Sequence, residues 1–110
     1  MDSFPENFTR QTCMVTMKDN QGELLKNIRK EFHDAIQEGI SKCEREICVS
    51  FPDKLWHEHR KTITAELLMR FGKLRVKMVN PQCEVTKLIS DQNEIPDNVK
   101  RVIIEFWKDD

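Results

Sequence analysis

Cys43, Cys48, His57 and His59 follow one another as C-x4-C-x8-H-x-H, so two thiols and two imidazoles fall close together in the chain. Those are zinc-ligand types, and a zinc site needs four of them converging on a tetrahedron. His57 and His59 fall on a predicted helix, where residues two apart point about 200° from each other and cannot share one ion. The spacing matches no zinc-finger pattern, so no metal is expected. A cysteine nucleophile needs a thiol activated by a helix entry or a cationic neighbour. No such turn precedes Cys13, Cys43, Cys48 or Cys83. Gly22, Gly39 and Gly72 stand too far apart for a phosphate loop, and Glu44, Glu46, Glu58 and Glu66 show no spacing of a catalytic pair. The chain is read as non-enzymatic, with no cofactor.

The second kind of chemistry is electrostatic. Residues 53–77 carry seven basic side chains (Lys54, Arg60, Lys61, Arg70, Lys73, Arg75, Lys77) and three acidic ones (Asp53, Glu58, Glu66). This segment is net positive in a chain whose total charge is −1. Clustered cations suit phosphates, because neutralising a phosphate releases condensed counterions. Arg60, Lys61, Lys73, Arg75 and Lys77 are therefore the candidate nucleic-acid contacts, made to the backbone without base readout. The alternative for the same residues is a solvated face with scattered salt bridges. With no Tyr, and with Phe and Trp mostly on apolar stripes, no aromatic stacking platform is expected.

A third candidate is apolar. Ile103 and Trp107 fall on the face of the last strand opposite Val102, Ile104 and Phe106. An apolar patch on an otherwise polar sheet face favours a partner or a second copy. Ile103 and Trp107 are thus candidate interface residues, with the acidic stretch 84–97 (Glu84, Asp91, Glu94 and Asp97 against Lys87) beside them.

These residues need elements to position them. Cys13, Val15 and Met17 alternate with Met14 and Thr16, which predicts a strand over Thr12–Lys18. Lys18-Asp19-Asn20-Gln21-Gly22 reads as a turn. Leu25, Ile28, Phe32, Ala35 and Ile36 recur at helical spacing and predict a helix over 23–38, with Gly39 as its stop. Ile47, Val49 and Phe51 predict a strand closed by Pro52. Asp53 is the expected cap of a second helix over 54–71, stopped by Gly72. Leu74, Val76 and Met78 alternate with Lys73, Arg75 and Lys77 in a further strand. Residues 83–89 read as strand or short helix, 90–98 as a loop, and 102–107 as the last strand. The fold class is α+β: a two-layer sandwich in βαβαββ order, with two helices on one face of a mixed four-stranded sheet. Residues 1–9 read as a flexible terminus and 10–110 as one domain, as 110 residues allow.

The run Ile47-Cys48-Val49-Ser50-Phe51, then helix 54–71, then Leu74-Arg75-Val76-Lys77-Met78, resembles the middle of two groups of βαβαββ domains. One is the Alba family of chromatin and RNA-binding proteins. The other is the C-terminal domain of bacterial translation initiation factor three. The resemblance covers residues 12–107 at the level of topology and implies nucleic-acid binding. The leading expectation is a non-enzymatic nucleic-acid-binding domain, dimeric through its sheet face or an edge strand. The alternative is a protein-interaction or assembly module with no nucleic-acid role. The N-terminus MDSFPENFTR lacks the basic start and apolar run of a secretory signal, and no stretch approaches the ~20 apolar residues of a membrane span. A cytoplasmic or nuclear protein with free thiols, away from the membrane, is expected.

Overall fold

The structure is a computed structural model and describes residues 3–78 and 85–106. Helix α1 spans Arg10–Ser41 and strand β1 Glu46–Ser50. Helix α2 spans His57–Phe71, followed by β2 at Leu74–Met78 and β3 at Val85–Ile89. A 3-10 turn at Gln92–Glu94 leads into β4, Val99–Glu105. The class is α+β, with two helices and four strands. No helix among the described residues is long and apolar enough to cross a membrane.

The sheet order is β1-β4-β2-β3, and each neighbouring pair is antiparallel. The last strand slips between β1 and β2, so the two strands joined through α2 run parallel without touching. That is why the sheet is antiparallel throughout where a mixed one is expected. Residues 85–89, ambiguous in sequence, form the edge strand beside β2.

The largest difference lies at the N-terminus. Thr12–Lys18 is helix, not strand, and the turn at 18–22 lies inside the same helix. The cause is the cap. Thr9 Oγ1 accepts from the Thr12 N–H, and the Thr9 N–H donates back to Thr12 Oγ1, a reciprocal capping box. Phe8 and Cys13 occupy the two positions of a hydrophobic staple across that cap.

The far end of α1 also differs. Gly39 does not stop the helix; it lies buried against β1, where an added Cβ would collide with Ile47 Cδ1. The stop comes four residues later. Cys43 takes a left-handed φ of 57°, its N–H donates to Ile40 O, and the Glu44 N–H donates to Gly39 O. This is a Schellman closure with cysteine in the position that favours glycine. At α2 the start is later than expected: Trp56 is the N-cap, without a side-chain cap bond, and Asp53 lies in the preceding turn.

The two layers meet in one core. Ile28, Phe32 and Ile36 of α1, with Ile63, Leu67 and Leu68 of α2, pack on the Ile47, Val49, Leu74, Val76, Val102 and Ile104 face of the sheet. Both helices thus cover the same face. Glu46, Cys48, Ser50, Arg75, Lys77, Arg101 and Ile103 occupy the alternate positions of paired strands and share the open face.

Candidate interaction surface

The basic candidates are dispersed by the fold. Arg60 is 4% exposed. Its Nε donates to Leu55 O, Nη1 to Val99 O, and Nη2 to both Pro52 O and Asp53 O, at 3.0–3.2 Å. Four of its five N–H donors are engaged by backbone carbonyls, so Arg60 is withdrawn from the phosphate-contact set. It pins the turn before α2 to the start of β4. Lys61 Nζ lies 2.7 Å from Asp97 Oδ1. That hydrogen bond, then the charge of Lys61 itself, holds the Asp97 carboxyl below the ordinary aspartate range.

Arg75 stands on the open face between two acids. Its Nη2 donates to Glu46, and its Nε lies against the Glu105 carboxylate without hydrogen-bond alignment. Lys77 is the register partner of Arg101 on the same face, and Lys73 is exposed in the turn between α2 and β2. The stretch 53–77 is therefore no continuous cationic surface: one arginine is internal, and Lys61 and Arg75 are neutralised locally.

Ile103 does lie on the open face, opposite Cys48 on one side and Arg75 on the other. At 5% exposure it offers little area to a partner. Trp107 lies outside the described residues. Cys43 closes α1, Cys48 points to the open face, and His57 and His59 sit in the first turn of α2. His59 stacks on Trp56 at 5.7 Å. Among the described residues, no three His, Cys, Asp or Glu side chains gather as metal ligands would.

The exposed apolar surface lies elsewhere, on the first third of α1. A compact domain of this length has a radius of gyration near ~13 Å. Here it is 17.5 Å, and the longest dimension is 70 Å. Arg10–Asn20 contributes to this: ten of the eleven residues are exposed and Cys13 is half-buried. At ~1.5 Å rise per residue this arm extends about 16 Å.

Met14, Met17, Gln21, Leu24 and Ile28 recur at intervals alternating between three and four, so they form one stripe along α1. From Gln21 onward the stripe is covered. Gln21 Nε2 donates to Lys54 O, and the Trp56 N–H donates to Gln21 Oε1, a two-way clasp to the backbone before α2. Leu24 and Leu25 then pack on the core, and Ile28 enters it. Before Gln21 the same stripe continues uncovered. Met14 is 46% exposed and Met17 52%, with Phe8 at 58% and Phe4 at 81% beyond the helix start. Phe4 and Phe8 stack at 5.1 Å. Taking ~200 Å² for a whole residue of this size, Met14 and Met17 expose about 200 Å² on the stripe, and Phe4 and Phe8 about 280 Å² before the helix start.

Sequence reasoning missed this surface because it read Met14 and Met17 on opposite faces of a strand. The signal was present in Thr9-x-x-Thr12 and in the stripe spacing.

The α1–α2 flank forms a groove of about 490 Å³ floored by Phe32, Ile36, Ile63 and Leu67. Arg29 bridges its mouth, its Nη2 2.6 Å from Glu66 Oε1 and its Nε donating to Oε2.

In comparisons with known proteins, no protein-family model, curated protein or solved structure matches this chain.

Proposed function

We propose that this chain is a protein-interaction and assembly module, not an enzyme, and that its contact surface is the projecting arm of α1. The observation that carries the reading is the stripe that packs the core from Gln21 onward and runs uncovered through Met17 and Met14, with Phe8 exposed before the helix start. Apolar area that a fold leaves contiguous and rimmed by polar residues is the usual mark of a protein contact. The arm's uncharged polar residues, Gln11, Thr12, Thr16 and Asn20, suit a contact with protein.

Affinity capture with the full chain and with Met14→Lys/Met17→Lys tests this. Specific partners, a second copy included, are expected on the wild-type chain and not on the variant. Equal capture by both would overturn the assignment to the arm.

A second reading is nucleic-acid binding through the open sheet face, where Lys77 and Arg101 are register partners beside Arg75. The likeness to the two nucleic-acid-binding families then rests on the β1–α2–β2 segment. Titration of a labelled duplex of about 20 base pairs and of a matching single strand at two salt concentrations tests it. Binding that falls steeply with salt, and that Lys73→Glu/Lys77→Glu abolishes, would favour this reading. Arg75→Glu is the poorer probe, because it would place three carboxylates together at Glu46 and Glu105.

A further inference from the structure

We infer that the arm's partner is the arm of a second copy of this chain, paired antiparallel about a two-fold axis between Met14 and Met17. The inference rests on the assembly reading above and names the occupant.

The first argument is helix propensity. Thr12, Val15, Thr16, Asp19 and Asn20 are weak helix formers, and Gly22 sits at the arm's root. Isolated helices shorter than ~12–15 residues are marginal in water, and most protein helices are held by packing of their apolar face. An eleven-residue extension of this composition calls for a surface that covers its stripe, and none among the described residues does.

Charge selects the kind of surface. The arm's only charged residues are Arg10, Lys18 and Asp19, so it is nearly neutral. A polyanion or an anionic lipid surface calls for a face rich in Lys and Arg. A strongly acidic or basic partner calls for an excess of the opposite sign. A neutral arm with methionines on its stripe is complementary to another like it.

The spacing is also self-complementary. Under an antiparallel two-fold, Met14 of each copy faces Met17 of the other. Phe8 of each comes level with Glu23 and Leu24 of the other, where the stripe sinks into the core through the half-buried Leu24 and Leu25. The antiparallel order also opposes the two helix dipoles favourably.

Area sets the strength. Reciprocal pairing covers at most about 950 Å² from the four apolar residues, just under the roughly 1,000 Å² where specific interfaces begin. The dimer is therefore weak and reversible.

The test is sedimentation equilibrium of the full chain from about 5 to about 500 µM, concentrations at which a weak interface assembles. The mass should climb from monomer to dimer. Met14→Lys/Met17→Lys should stay monomeric, and at the lowest concentration, where the wild type is also monomeric, its thermal unfolding should be unchanged, since both positions are half-exposed. Val15→Lys should dimerise normally, because Val15 lies off the stripe. Far-ultraviolet ellipticity of the wild-type chain should gain helix at the same midpoint, a readout that needs no variant. A wild-type chain monomeric throughout would overturn the inference, as would a dimer that survives Met14→Lys/Met17→Lys or is lost equally with Val15→Lys. If the chain is monomeric but capture still depends on Met14 and Met17, the second copy is wrong and the assembly reading stands. If both fail, both fall.

Discussion

Replacing Arg60 by methionine is expected to lower folding stability by about 3–5 kcal/mol. The side chain donates to four carbonyl oxygens, those of Pro52, Asp53, Leu55 and Val99. Hydrogen bonds to a charged donor are worth ~1.5–3 kcal/mol each, and the buried acceptors at Leu55 and Val99 would be left without a partner from this side chain. Two effects reduce the total. Pro52 O keeps the Leu55 N–H as a partner. Removing the guanidinium also relieves a burial penalty of several kcal/mol. Domains of this size have only about 5–15 kcal/mol of net stability, so the remaining loss is about a fifth of the whole or more. Arg60→Lys should recover part of it, because an ammonium has three donors and no planar fork. The assay is urea unfolding with the slope compared between variants, and exposed Lys73→Ala, expected within ~0.5 kcal/mol of wild type, is the control. A loss below about 1 kcal/mol for Arg60→Met would show that the guanidinium does not hold the α2–β4 junction, and the account of this site would be wrong.

Three further outcomes follow from geometry. Gly39→Ala should destabilise by about 1–2 kcal/mol, overpacking against Ile47 exceeding the ~1 kcal/mol gained in helix propensity. Ile47→Val should rescue part of that loss, because it removes the Cδ1 atom nearest the added methyl; additive losses in thermal unfolding would refute the contact. Cys43→Gly should stabilise by about 0.5–1 kcal/mol by relieving the left-handed backbone at φ 57°, with loss of stability in the same assay as the contrary result. The Asp97 carboxyl should titrate below the ordinary aspartate range by NMR, and Lys61→Met should return it there. With the folded pKa depressed, the pair's contribution is present above the unfolded pKa and lost as pH falls through the folded one. An unmoved midpoint in Lys61→Met would break the assignment.

The sheet was legible where one face of a strand is buried. Ile47/Val49, Leu74/Val76 and Val102/Ile104 are core pairs in both sequence and structure, and Ile103 falls on the open face in both. The arm was not legible by alternation, because Cys13, Val15 and Met17 satisfy a period of two while Met14, Met17 and Gln21 satisfy a helical stripe. The reciprocal Thr9–Thr12 bonds decide between them. Arg60 was misplaced because its charge was weighed and its position was not. It stands three, four and seven residues before Ile63, Thr64 and Leu67, on the buried face of α2. The pairing of Lys61 with Asp97 and the entry of β4 between β1 and β2 depend on contacts remote in sequence, which local pattern does not carry.

The sheet order runs against the order of synthesis. When β1, α2, β2 and β3 have left the ribosome, a gap one strand wide separates β1 from β2, and both face it with unpaired backbone groups. The guanidinium of Arg60 also waits, since one of its four acceptors is Val99 O at the head of the missing strand. Only Val99–Glu105 closes the gap, and it does so from the middle of the sheet. A nascent chain halted before Val99 would hold two sticky strand edges and a buried charge short of a partner. A chain without Val99–Glu105 would thus be open to misassembly at both of those edges.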